Sequence, residues 1–332
     1  NLKMINRVLL YNSGGGIGDA IQILPLIYTL RSELKNAEFH YLSAHENHFN
    51  STLKDFNSEI NSLNLDIKYF GFRWWHALIV KKKIKKHKIE SFDLIIDLQS
   101  KIRNSLILKM IPHKFFISPC FNFKLSKPNI DIKKEKKINN TILKAINLAF
   151  KKKYQLNEFD INNIDRKFFI ESEKLLPKND YVGFSITQGN IYRKKEWPLD
   201  NIVKISNKLI ESKKTPVFFI EKKNHEFKNK IEKLIPMALF PEYETNISSP
   251  ALVTCLGKRL DFAITIDNGI MHMLSLAKVP MVVLFGPTDS EKFGPEYKNS
   301  IVLDSKKLYN TKNISSISVE DVLNAAKQHL NY

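Results

Sequence analysis

Cysteine is nearly missing from this 332-residue sequence, and arginine is scarce. There are two cysteines, and only seven of the 52 basic residues are arginine. Cys120 and Cys255 lie far apart without the partner spacing of a zinc site, a usage that suggests a reducing cytoplasm. No apolar run approaches the length needed to span a bilayer. The stretch "MINRVLLYN" reads as a short strand rather than a signal peptide. There is no repeat at a solenoid period and no low-complexity linker. Acidic residues are also in deficit, 34 against 52, which leaves a net charge of +18. Lysine excess is partly a habit of composition. A nucleic-acid reader would be expected to use more arginine for bidentate contacts, so no nucleic-acid partner is expected. The run "KKKIKKHK" from Lys81 to Lys88 is a local concentration and suits an acidic surface, such as anionic lipid or a phosphorylated saccharide.

What is present is an alternation of short apolar runs with helical stretches. Strands are expected at Arg7 to Asn12, Glu38 to Ser43, Phe92 to Gln99, Tyr181 to Thr187, Pro216 to Glu221, Phe262 to Asp267 and Met281 to Gly286. Helical spacing is found at Ala20 to Leu34, Ile138 to Lys153, Asn201 to Ser212, Ile270 to Lys278 and Val319 to Leu330. Strand followed by helix, repeated, predicts parallel sheets with helices on both faces. The length favours two α/β domains, 1–168 and 169–332, doubly wound and facing each other across a cleft.

The stretch "SGGGIGDAIQILPLIYTL" (Ser13 to Leu30) places four of eleven glycines within five positions and follows them with Asp19. A dinucleotide fingerprint started at Gly14 would put Asp19 where its third glycine belongs, and a carboxylate there would repel a pyrophosphate. A P-loop lacks its lysine and hydroxyl. The surviving reading brings the backbone of Gly16 and Gly18 close to a polar, sugar-like ligand, with Asp19 ionised beside a helix start and able to take a proton. The alternative is that Asp19 is only a helix N-cap.

In the second half, "FAITIDNGIMHMLSLAKVPMVVLFGPTD" reads as strand, turn, helix, strand, turn. Asp267 closes the strand, Asn268 and Gly269 make the turn, and the helix start offers amides to a diphosphate. His272 in the first turn suits a phosphate contact or packing against the sheet. Thr288 supplies a hydroxyl at the same end. In "SITQGNIYRKKEWPLDN", Thr187 ends a strand and Arg193, Lys194 and Lys195 suit a phosphate-bearing leaving group.

Taken together, "GIGDAIQILPLIYTLR", "IDLQSKIRNSLI", "KEWP" and "DNGIMHMLSLAKVPMVVLFGPTD" resemble bacterial glycosyltransferase family 9, the lipopolysaccharide heptosyltransferases. The resemblance implies the GT-B fold of two Rossmann-like domains. It also implies inverting transfer of a heptose from ADP-heptose to the inner core, on a Kdo or heptose acceptor bound through lipid A. Carried over, Asp19 matches the catalytic base and Lys195 the cation that meets the departing diphosphate. Thr187, Asp267, Gly269 and His272 match donor contacts, and Asn224 falls where an acidic residue often holds the ribose. Two departures stand out: Gln22 replaces a histidine of some first-heptose transferases, and Asn268 replaces the usual serine or threonine. No two aspartates are two positions apart, as a metal-binding Asp-x-Asp pair requires, so no metal or cofactor is expected beyond the donor.

Lys101 and Arg103, after the "LIIDLQ" strand, are candidates for gripping acidic groups on the acceptor. "GFRWWHALIVKKKIKKHK" (Gly71 to Lys88) reads either as an amphipathic helix packed on the sheet or as a peripheral contact with the anionic inner membrane. The rival readings are a GT-B transferase for another surface glycan, a basic nucleic-acid binder and a dinucleotide-dependent oxidoreductase.

Overall fold

The computed structural model describes residues 5–188 and 191–329. Gly189, Asn190 and Leu330, which belong to stretches singled out above, lie outside the described residues. The chain divides into two compact units, Asn1–Asp160 and Ile161–Tyr332. The boundary expected after residue 168 falls inside the helix Arg166–Leu175, which lies within the second unit near its start.

The first unit has β1 (Arg7–Asn12), β2 (Glu38–Ser43), β3 (Asn61–Ser62), β4 (Phe92–Asp97) and β5 (His113–Ile117), all parallel in the order β3-β2-β1-β4-β5. The second has β6 (Tyr181–Ser185), β7 (Thr215–Phe218), β8 (Phe262–Ile266), β9 (Met281–Phe285) and β10 (Ser300–Asp304), again parallel, in the order β10-β9-β8-β6-β7. Parallel neighbours need crossovers, and the interposed helices supply them. Strands β4, β6, β8 and β9 are buried at every position, because helices cover both faces of a parallel sheet. One core gathers Leu9, Tyr11, Phe92, Ile95 and Phe116. The other gathers Phe184, Phe218, Phe262, Ile264 and Val282. Each unit also buries one free thiol, Cys120 at 2% exposure and Cys255 at 0%.

The order reverses between β1 and β4 in one sheet and between β6 and β8 in the other. At such a switch the crossovers leave in opposite directions, which opens a crevice at the carboxyl ends of the strands where ligands of α/β proteins bind. The loops after β1, β4, β6 and β8 are therefore the first places to look.

Three strands depart from the sequence expectation. β5 and β10 are edges and only partly buried, and their apolar runs, "FFI" and "IVL", are just three residues long beside His113, Lys114 and Ser300. β3 has only two residues. The helix expected over 20–34 is two, Ile17–Ile21 and Leu24–Glu33. Pro25 cannot donate to the preceding turn, so the chain restarts with Pro25 in the first turn of the second helix, where a missing N–H costs nothing.

Candidate functional site

In the first unit the glycine loop runs from the end of β1 into the helix Ile17–Ile21, with Gly16 as its N-cap and Gly18 in its first turn. Asp19 is therefore the third helical residue and not the N-cap. Its carboxylate turns back so that Oδ2 accepts from the Gly16 amide at 3.4 Å, while Oδ1 accepts from Gln22 Nε2 at 3.4 Å. Both bonds are long, and Asp19 is half-buried, so the group is oriented but keeps acceptor capacity. Gly14 and Gly15 leave no room for a side chain. A Cβ on Gly14 would sit 2.7 Å from the Asp19 carboxyl, and one on Gly15 would sit 2.6 Å from the His45 ring.

Residues that sequence reasoning missed hold this loop. Asn12, at the end of β1, accepts from the Gly14 amide at 2.9 Å and donates to the Asp19 carbonyl at 3.3 Å. Gln99 Nε2 donates to Asn12 Oδ1 at 3.0 Å, which carries the network across to the loop after β4. The Gln99 amide in turn donates to Asp97 Oδ1 at 3.0 Å, and Asp97 Oδ2 accepts from the hydroxyls of Ser105 and Ser118. Asp97 is fully buried. Burial raises its pKa to about 6, outweighing the three donors that favour the anion.

Lys101 and Arg103 stand at the start of the helix Ile102–Leu108. Lys101 is exposed, with its ammonium over the Phe72 ring at 5.6 Å. Arg103 Nε donates to the Gly71 carbonyl at 2.9 Å, so part of its guanidinium serves to anchor the neighbouring turn.

In the second unit the loops after β6 and β8 meet. Lys195 Nζ donates to Asp267 Oδ2 at 2.9 Å and to the Asp267 carbonyl at 3.0 Å. The pair is deep, with side-chain exposures of 12% and 8%. Gln188 accepts from the Lys195 amide at 2.9 Å. Asn268 caps the helix Gly269–Leu276 by accepting from the Met271 amide at 2.9 Å, and its amide group donates to Ser185 Oγ and to the Thr187 carbonyl. The structure thus brings Thr187, Lys195, Asp267 and Asn268 together at the β6/β8 switch, with Gly269 opening the helix that Asn268 caps. Asparagine does the capping work of a serine or threonine and reaches further, which gives the departure at Asn268 a physical use.

The tryptophan of "KEWP" is structural. Trp197 is buried, and its indole N–H donates to the Ile317 carbonyl at 2.8 Å, pinning the loop that carries Lys195. Arg193 and Lys194 are exposed. His272, the fourth residue of the Gly269–Leu276 helix, is half-buried. Thr288 follows β9, and its hydroxyl is buried without a hydrogen-bond partner, while Lys306 fixes its carbonyl at 2.6 Å. Asn224 follows β7 at the start of the helix His225–Leu234, half-buried, and its side chain does not cap that helix. Among the described residues, no three His, Cys, Asp or Glu side chains form a group able to hold a metal ion.

Comparison with known proteins is consistent across sequence and fold. The sequence profile of "Glycosyltransferase family 9 (heptosyltransferase)" matches residues 80–323. That match leaves the Gly14 to Asp19 loop outside it. A curated relative, lipooligosaccharide heptosyltransferase 2 of Campylobacter jejuni, is 25% identical over 296 residues, covering 84% of this chain and 81% of its own. A glycosyltransferase family 9 structure from Veillonella parvula superposes with a TM-score of 0.71 at 18% identity, covering 98% of this chain and 97% of that one. The E. coli heptosyltransferase WaaC with ADP gives 0.67 at 14% identity, with coverage of 97% and 99%. The two parallel-sheet α/β units are those of a GT-B fold. The profile match covers well over half of the sequence, and the chain belongs to glycosyltransferase family 9, the heptosyltransferases.

Proposed function

We propose that the protein transfers a heptose from ADP-heptose to a Kdo or heptose acceptor of the lipopolysaccharide or lipooligosaccharide inner core, at the cytoplasmic side of the inner membrane. In this reading Asp19 takes the proton of the acceptor hydroxyl as that oxygen attacks the anomeric carbon from the face opposite the diphosphate. The bond from the anomeric carbon to the β-phosphate oxygen breaks, configuration inverts, and ADP leaves with the bonding pair. Lys195 and the first-turn amides of the Gly269–Leu276 helix meet the charge on the leaving diphosphate, with no metal ion and no cofactor besides the donor. Thr187, His272 and Thr288 serve as further donor contacts, and Asn224 as a ribose contact. Gly16, Gly18, Lys101 and Arg103 serve the acceptor.

The observation that carries the reading is the buried Lys195–Asp267 pair beside the Asn268-capped helix, at the topological switch of the second unit. The pair is neutral as it stands. A diphosphate would be met by the helix-start amides, and it would compete with Asp267 for the Lys195 ammonium. The relatives named as heptosyltransferases, one of them solved with ADP, support the choice of donor.

The test is a thermal-shift panel with ADP, UDP, GDP, CDP and NAD, each with and without EDTA. Ligand at a hundredfold excess over Kd stabilises a folded protein by about 2.7 kcal/mol. Stabilisation by ADP and indifference to EDTA are expected, followed by transfer from ADP-heptose to a Kdo-bearing lipid A. Preference for UDP or GDP would move the substrate to another glycan, and a response to NAD alone would sink the assignment of Asp19.

A further inference from the structure

The helix His76–Lys86 turns His76 and Val80 into the first unit, with Ala77 and Ile84 packed against the same core. At 3.6 residues per turn, the outer face of the helix carries Leu78, Lys81 and Lys85 in one stripe, with Lys82 beside it, and Trp74 and Trp75 stand in the turn that leads into it. A helix that merely packs on a sheet buries its aromatic and aliphatic residues and shows its lysines. Here apolar side chains are exposed as well: Trp74 at 58%, Trp75 at 55% and Leu78 at 83%. Trp75 is held edge-on to the buried His76 ring at 4.4 Å, so its indole is fixed and still exposed.

The charges that follow have one sign. Lys81, Lys82, Lys85, Lys86 and Lys88 are all exposed. Asp66 is the acidic group among them and is taken up by Lys86 and His87, with Lys83 at 3.9 Å. Lys81, Lys82 and Lys85 make no ion pair among the described residues. An apolar wedge thus leads into a cationic strip on one helix face.

We propose that this face docks on the headgroup layer of an anionic lipid bilayer. Trp74, Trp75 and Leu78 enter the interfacial region, where indoles are favoured, and Lys81, Lys82 and Lys85 lie over the anionic headgroups. A nucleic-acid backbone would match the lysines but would leave the indoles and Leu78 without a partner. Among the described residues, no helix is long and apolar enough to cross a membrane, so the contact is a surface one.

The face is joined to the residues around Asp19 within the same unit. Tyr69 and Phe72 pack edge-on against His45 at 5.0 and 5.9 Å, and the His45 ring fills the space beside Gly15. Arg103 holds Gly71, and Lys101 covers Phe72. If the acceptor is lipid-borne, which rests on the function proposed above, docking delivers it beside the glycine loop. The docking itself does not depend on that reading.

The optical background suits a direct test on the full chain. Of the three tryptophans, Trp197 is buried in the second unit, so a change in emission on binding reports Trp74 and Trp75. The probes are phosphatidylglycerol–phosphatidylethanolamine vesicles, phosphatidylcholine vesicles and a duplex DNA. We expect co-sedimentation with the anionic vesicles, a blue shift, and quenching by lipids brominated on the acyl chain. Each lysine is worth roughly fivefold in partitioning. Lys81→Gln/Lys82→Gln/Lys85→Gln therefore weakens vesicle binding about a hundredfold, and Leu78→Ser, which keeps both indoles, lowers co-sedimentation and the quenching together. Wild-type chain that ignores anionic vesicles, or binds them without any change in emission, would overturn the proposal. So would DNA binding that anionic vesicles fail to compete. The ADP response is measured separately and stands or falls by itself.

Discussion

Asp97 offers the sharpest quantitative test of the site's architecture. Its folded-state pKa is raised from 3.8 to about 6 by burial, against the pull of Ser105, Ser118 and the Gln99 amide. At about 1.36 kcal/mol per pKa unit, this amounts to about 3 kcal/mol of stability forfeited once the group is ionised in both states. The sign follows from proton binding. Below about pH 4 the folded state bears no penalty, and the loss grows as pH rises through about 6. Asp97→Asn does not titrate, so its stability relative to wild type should climb by about 2 kcal/mol between about pH 4.5 and about pH 7.5. Any fixed cost of turning an amide group toward the serines cancels in that difference, as does every other carboxylate. By scanning calorimetry the gap in Tm should widen by roughly 4–8 °C for a unit of this size. A gap that stays constant, or narrows with rising pH, would show that the three donors win and that Asp97 is an ordinary low-pKa carboxylate.

Further outcomes follow from the same contacts. Gly14→Ala pushes a methyl against the Asp19 carboxyl, so kcat should drop roughly a hundredfold while ADP still raises Tm as in wild type. Lys195→Ala leaves Asp267 buried and unpaired, at a cost of about 3–5 kcal/mol by denaturant melts. Lys195→Ala/Asp267→Asn should recover much of that stability without recovering ADP binding, and equal ADP affinity in wild type and double variant would remove Lys195 from the site. Trp197→Phe strands the Ile317 carbonyl, which should cost about 1–3 kcal/mol and weaken ADP binding as the loop carrying Lys195 loosens.

The sequence carried the central strands and the turns that end them, because a run such as "FDLIID" is apolar enough to be recognised in isolation. It revealed the edge strand β7 and missed the other three edges, β3, β5 and β10. β5 and β10 are half solvated, and an apolar run of three residues between polar neighbours is too short to stand out. The glycine loop was legible as a backbone device, and the refusal of Asp19 to fit a dinucleotide fingerprint was legible too. Its place as the third helical residue depended on where the helix begins, which Gly16 decides by entering in extended conformation. Contacts between distant residues were out of reach. Gln99 touches Asn12 across 87 positions, Lys195 reaches Asp267 across 72, and Trp197 reaches Ile317 across 120. Nothing in the local pattern around any of these residues signals its partner. Only the tertiary fold of each unit brings each pair together.

The two thiols give the protein a built-in pair of clocks. Cys120 is sealed in one unit and Cys255 in the other, and burial raises both pKa values, that of Cys255 to about 12. A thiol reagent can modify either cysteine only during a transient opening of its own unit. Peptide mapping then tells the two rates apart in a single sample of unmodified wild-type chain. A nucleotide gripped wholly by the second unit should slow the Cys255 clock and leave the Cys120 clock running as before. A ligand bound by the first unit alone should do the reverse, so the two mapped rates would tell which unit a ligand engages before any product is measured.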